Sequence, residues 1–101
     1  MLDAQRLTLQ EDLIIYNAQD IKQRLQAALA DCRTLELDLS QVSQIDTSGL
    51  QLLILAKREA GRLDRDLRIV AHSPAVQQAI DFCNLASFFG DPAAVGAHEE
   101  M

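Results

Sequence analysis

The sequence predicts a small α/β sandwich, in which a mixed sheet of four to five strands is covered on one face by helices. Residues 34–39 alternate strictly between leucine and polar or charged residues, which is typical of a strand with one buried face. Apolar residues recur at helical spacing over residues 21–32, 50–60 and 76–83. Because strands and helices alternate along the chain, we expect right-handed crossovers between parallel strands after an opening hairpin.

The first half of the chain is predicted to hold that hairpin and one helix. Leu7 and Leu9 belong to the first strand, and the apolar run at residues 13–16 forms the second. The first helix is expected to begin after an N-cap at Asn17 and to end near Asp31.

The second half is predicted to alternate helices and strands. A helix over about residues 50–60 closes at Gly61, and a strand over residues 67–69 follows it. The third helix begins at Ser73, a hydroxyl cap followed by proline, and ends near Asn84. The aromatic pair at residues 88–89 is expected to form a last short strand. Residues 91–101 are expected to form a weakly ordered, acidic tail.

Length and charge limit the kinds of partner. The chain has 101 residues, which suits one domain, and its formal net charge of −6 opposes nucleic-acid binding. No apolar run approaches the roughly 20 residues that cross a bilayer, so membrane insertion is not expected. The first residues lack the pattern of a signal peptide, which predicts a cytoplasmic protein.

The two cysteines predict reduced thiols. Cys32 and Cys83 are far apart and form no CxxC motif, which argues against a metal site and a disulfide framework. Both are expected on helix faces turned toward the sheet.

The most informative segment is Asp46-Thr47-Ser48-Gly49, which precedes the second helix. Free N–H groups and the positive end of the helix dipole favour an added phosphate there, so Ser48 is a candidate phosphorylation site. Alternatively, the side chains of residues 46–48 only cap the helix, and Gly49 relieves crowding. Both interpretations fit these residues.

With its surroundings, this segment resembles the STAS family, the fold shared by bacterial anti-anti-sigma factors and sulfate-transporter regulatory domains. The resemblance is carried by LELDLSQV at residues 35–42, IDTSGL at 45–50 and SPAV at 73–76. It implies a STAS domain over residues 1–90 and phosphorylation of Ser48 by a partner that is both anti-sigma factor and serine kinase. Members that bind such kinases carry a G-E-L-D-like segment before the first helix, where this chain has IYNAQD at residues 15–20.

Helix geometry predicts a docking surface on the second helix. At 100° per residue, Leu52 and Leu55 fall among polar residues on the side away from the core-facing arc. The candidate partner-binding residues are Asp46, Thr47, Ser48, Gly49, Gln51, Leu52 and Leu55. Alternatively, this helix packs on two sides, or its outer leucines are ordinary surface residues.

Together these features favour a non-enzymatic switch that binds an anti-sigma factor/serine kinase and releases it when Ser48 is phosphorylated. A serine phosphatase would reset it. The chain has no glycine-rich phosphate loop, so no cofactor is predicted and ATP chemistry is expected from the partner. The alternative is a constitutive adaptor bound to an ABC transporter ATPase, similar to the small STAS subunits of lipid-transport complexes. An intrinsic enzyme ranks third, because no residue set predicts a reaction.

Overall fold

The computed structural model describes residues 2–89, in which three strands alternate with three α-helices. The elements are β1 (Leu2–Thr8), α1 (Ala18–Asp31), β2 (Cys32–Leu39), α2 (Thr47–Arg62), β3 (Asp66–His72) and α3 (Pro74–Phe82), with a 3-10 turn at Ile15–Asn17. The strands form one parallel sheet in the order β1-β2-β3. The α/β class is confirmed, but the described residues hold three strands rather than four or five.

The sheet buries one face and leaves the other polar. Leu35, Leu37 and Leu39 of β2 are fully buried beneath the helices, as the alternation predicts. On the opposite face Arg6 pairs in register with Glu36, and Glu36 pairs in register with Arg68. Helices α1 and α2 contact each other and the strands, as expected when successive right-handed crossovers cover one face.

The predicted opening hairpin is wrong. Leu13 is buried, but it forms an isolated parallel bridge with Ile45 in the loop after β2 rather than pairing with β1. Because β1 pairs with β2, residues 13–16 have no antiparallel partner there, and residues 15–17 coil into the 3-10 turn. Asn17 precedes α1, but its amide donates to the Asp12 carbonyl at 2.9 Å and does not cap the helix.

The predicted start of α3 is confirmed and the predicted end of α2 is wrong. Ser73 accepts a hydrogen bond from Val76 N, and Pro74 occupies the first turn. Gly61 lies within α2. The helix ends instead at a turn in which Leu63 N donates to the Glu59 carbonyl and Asp64 has a φ of 59°.

The predictions for the aromatic pair at residues 88–89 and for the positions of the two cysteines are wrong. Phe88 and Phe89 form a turn rather than a strand, in which Phe89 N donates to the Leu85 carbonyl at 3.1 Å. Cys32 is buried at the start of β2, but Cys83 is exposed just after α3. Both thiols are free. The predicted tail lies outside the described residues.

Because the strands are parallel, their carboxyl ends meet at one edge of the sheet. The loops at residues 9–17 and 40–46 lie at that edge, where α1 and α2 begin. Within residues 2–89, no helix is long and apolar enough to cross a bilayer.

Candidate functional site

Two loops are bound to each other at the carboxyl edge of the sheet. Leu13 N donates to the Gln44 carbonyl at 2.9 Å, and Asp46 N donates to the Leu13 carbonyl at 3.0 Å. One carboxylate oxygen of Asp12 accepts from the backbone N–H groups of Ser43 and Gln44, both at 3.1 Å. These bonds fix the approach of the chain to the start of α2.

Asp46 caps α2 and also binds the first loop. Its Oδ1 accepts from Gly49 N at 2.9 Å, and its Oδ2 accepts from Ile15 N at 3.0 Å. The bond from Gly49 N, with further backbone bonds that include that of Ile15 N, holds the pKa of the Asp46 carboxyl below its usual range. The group is therefore ionised at neutral pH.

Gly49 is required by a close approach of backbone to backbone. A Cβ at this position would lie 2.0 Å from the Leu13 carbonyl oxygen and 2.8 Å from Leu13 Cβ. Gly49 is buried against that residue, so it shapes the site from beneath the surface. The capping and crowding interpretation of residues 46–49 is correct for Asp46 and Gly49, and it leaves Ser48 free for a separate role.

Ser48 lies in the first turn of α2 and is partly exposed. Thr47 precedes it and is exposed, as are Gln51 and Leu55 further along the helix. Thr47, Gln51 and Leu55 are spaced four residues apart, so they form one exposed stripe that begins beside Ser48.

The two outer leucines of α2 differ. Leu52 is 7% exposed and lies with Leu25 and Leu29 between α1 and α2, so its predicted exposure is wrong. Helix α2 packs against both the sheet and α1. The contact with α1 buries a second side of α2, which the spacing of 100° per residue places away from the core. Leu55 is 57% exposed, as predicted.

The sequence interpretation missed an exposed apolar pair next to the start of α2. Ile15 is 63% exposed and Tyr16 is 90% exposed, and neither lies in the strand that the sequence predicts there. Ile15 is tied to Asp46 through its backbone N–H, so the pair lies beside the cap. Successive side chains of a strand point to opposite faces, so a run of four apolar residues at a sheet edge leaves some of them exposed. The run at residues 13–16 could therefore have indicated the exposed pair.

A concave region lies between the start of α2 and α3. It is lined by residues that include Thr47, Leu50, Ala75, Ala79 and Phe82. Phe82 is 91% exposed at its margin. In the part of the chain that the structure describes, no group of three or more His, Cys, Asp or Glu side chains could hold a metal ion.

Comparisons with known proteins identify a family and a shared fold. A family model described as "Mlab, STAS domain" matches residues 2–89. A search of curated proteins found no match. The anti-sigma factor antagonist SpoIIAA in its unphosphorylated form aligns with a TM-score of 0.72 at 17% identity, covering 100% of this chain and 92% of that one.

An anti-sigma factor antagonist from Mycobacterium paratuberculosis aligns with a TM-score of 0.77 at 23% identity, covering 93% of this chain and 84% of that one. At these identities the two structures show a shared fold. Since the family model spans all the described residues, the chain belongs to the STAS domain family.

Proposed function

We propose that this protein is a non-enzymatic switch of the anti-anti-sigma type. In its unmodified form it binds an anti-sigma factor/serine kinase, and phosphorylation of Ser48 releases that partner. The observation that carries the proposal is the position of Ser48, partly exposed in the first turn of α2 and immediately before a glycine buried against Leu13. This is the position that the STAS resemblance gives to the phosphoacceptor.

The surface around Ser48 suits a protein partner. We define the Ser48 surface as Ile15, Tyr16, Thr47, Ser48, Gln51 and Leu55, all of which are at least partly exposed. It combines apolar side chains with hydroxyl and amide groups, as protein interfaces commonly do. Asp46, Gly49 and Leu52 support this surface from below, since Asp46 is half-buried and the other two are buried.

A phosphate would change this surface by charge and by volume. It adds about −1.5 to −2 charges at neutral pH, close to the ionised Asp46. Repulsion and lost packing then favour release of the partner. ATP chemistry would come from the kinase partner, and a serine phosphatase would restore the binding form.

A second candidate is a constitutive STAS adaptor that binds an ABC transporter ATPase in lipid transport. The name Mlab on the matched family model favours it. In this case the same surface would contact the ATPase, and Ser48 would remain an ordinary interface residue.

The test is capture of partners by the tagged protein from its native host, with mass spectrometry of both the partners and Ser48. We expect an anti-sigma factor/serine kinase to be captured by the wild type and by Ser48→Ala. Ser48→Asp should bind that partner less tightly by about 1 to 3 kcal/mol. Thr47→Ala is the matched control and should still be phosphorylated on Ser48.

Stable capture of an ATPase with no phosphate on Ser48 would favour the adaptor instead. Phosphate on Thr47 in place of Ser48 would contradict the switch.

A further inference from the structure

The Asp46 carboxylate holds two parts of the molecule with its two oxygens. One oxygen binds the first turn of α2 through Gly49 N, and the other binds the Ile15–Asn17 turn through Ile15 N. The Ser73 hydroxyl at the start of α3, in contrast, accepts only from Val76 N of its own helix, at 3.3 Å, among the residues that the structure describes. Asp46 therefore links the helix that carries Ser48 to a separate loop.

That loop presents the most exposed apolar side chains of the Ser48 surface. Tyr16 is 90% exposed and Ile15 is 63% exposed, so little packing holds either side chain in place. Two further hydrogen bonds of this segment are internal, from Asn17 N to the Ile14 carbonyl and from the Asn17 amide to the Asp12 carbonyl. The bond from Ile15 N to Asp46 links the turn itself to the cap of α2, and Leu13, two residues earlier, is held separately by backbone bonds.

A phosphate on Ser48 would disturb this carboxylate in two ways. Asp46 is the N-cap and Ser48 is the second residue of α2, so both side chains lie at the same positive helix end. The phosphate oxygens are strong acceptors and compete for the N–H groups of the first turn, including that of Gly49, which donates to Asp46 in the unmodified protein. Like charges also repel, which drives the carboxylate away from the phosphate.

We infer that Asp46 is a positioning residue that couples the phosphorylation state of Ser48 to the Ile15–Asn17 turn. When Ser48 is unmodified, Asp46 holds Ile15 N and fixes the exposed pair for binding. When Ser48 carries a phosphate, the carboxylate leaves Ile15 N, so the turn loses its direct hydrogen bond to the cap of α2, while Leu13 stays bound through its backbone. The phosphate thus changes the position of the Ile15–Asn17 turn, in addition to blocking partner contacts at Ser48 itself. This inference rests on the proposed phosphorylation of Ser48.

The test measures amide hydrogen exchange by NMR in the full chain, with phosphoserine incorporated during translation at position 48. Protection of the Ile15 amide should fall about tenfold relative to the unmodified protein, as expected when one hydrogen bond is lost. The Leu53 amide within α2 should keep its protection, which shows that the fold is retained. Phosphoserine at the exposed Ser87 is the matched control and should leave Ile15 unchanged.

A variant isolates the carboxylate from the phosphate. Asp46→Ser keeps a hydroxyl that can cap Gly49 N but is too short to bind Ile15 N as well. It should lower Ile15 protection about as much as the phosphate does, and phosphoserine 48 should then add no further loss. Unchanged Ile15 protection with phosphoserine 48 overturns the inference, as does a further large loss in the Asp46→Ser background.

This test is separate from that of the proposed switch, because it needs no partner. If Ile15 is released but the kinase partner still binds phosphorylated protein tightly, the coupling holds and the switch fails. If the partner is released while Ile15 stays protected, the switch holds and the coupling fails.

Discussion

The two helices that follow β2 and β3 both begin with a side-chain cap, yet the caps are built differently. Ser73 is 7% exposed and closes α3 with one hydroxyl, next to a proline that fixes the backbone. Asp46 closes α2 with a carboxylate, and its second oxygen reaches the loop before α1. A hydroxyl cap stabilises its own helix, whereas a carboxylate cap can also join two loops.

The surroundings of the two helix starts differ in the same direction. At α2, the backbone of Gly49 presses against Leu13, and an accessible serine and two exposed apolar residues lie nearby. The start of α3 is buried at Ser73, whose backbone N–H donates to the Leu39 carbonyl, and within residues 2–89 no loop is bound to its side chain. We propose that the start of α2 binds a partner protein, whereas the start of α3 serves to stabilise its own helix.

The largest effect is expected from breaking the close approach at α2. Gly49→Ala would place a Cβ 2.0 Å from the Leu13 carbonyl oxygen, which neither backbone segment can avoid without moving. We expect the free energy of unfolding to fall by about 3 kcal/mol or more in urea denaturation.

Gly61 offers the matched control for that substitution. A Cβ there meets nothing within 4 Å, and the residue lies inside α2. Gly61→Ala should therefore raise stability, by up to about 1 kcal/mol. Equal losses at both glycines would show that the contact with Leu13 is not what requires Gly49.

A smaller loss is expected where α2 packs on α1. Leu52→Ala should cost about 2 to 3 kcal/mol, because it empties a buried position beside Leu25 and Leu29. Leu55→Ala should cost about 0.5 kcal/mol or less and should instead weaken partner binding. Thermal melts and partner-binding measurements on both variants test whether Leu52 stabilises the fold and Leu55 contacts the partner.

The cap of α3 provides a direct contrast with that of α2. Ser73→Ala should cost about 1 kcal/mol, because Val76 N loses its acceptor. It should not change hydrogen exchange at Ile15, which depends on Asp46. Loss of Ile15 protection in this variant would remove the distinction between a local cap and a linking one.

The smallest effect concerns pH. Because the folded pKa of Asp46 lies below its ordinary value of about 3.9, its contribution to stability is present above that pH and is lost as the pH falls through the folded pKa. Asp46→Asn should therefore melt below the wild type at neutral pH, and the difference should shrink in acid. Melting curves measured between about pH 2 and pH 7 test this, and a constant difference would contradict it.

Elements with a clear period could be predicted from the sequence. The alternation in β2 and the helical spacing of α1 correctly identify both elements, because one buried face imposes each pattern. Ser73-Pro74 likewise identified the start of α3, since its cap is local in sequence. The STAS resemblance is also confirmed by the family model.

Features set by contacts distant in sequence could not be predicted in this way. The apolar neighbours of Leu13 predict a hairpin strand, whereas its actual partner is Ile45, which lies beyond α1 and β2. Leu52 was placed outside because a helical wheel does not show that α1 covers a second side of α2. The bond from Ile15 N to the Asp46 carboxylate links residues 31 positions apart, so no local motif indicates it.

The measurement that tests the central claim most directly is phosphopeptide mapping after the protein is incubated with ATP and the anti-sigma factor/serine kinase that we propose as its partner, followed by binding of each form to that partner. The account predicts one phosphate, on Ser48, none on Ser48→Ala, and weaker binding of the phosphorylated form. Phosphate at Thr47 or elsewhere in place of Ser48, or equal binding of both forms, would contradict it.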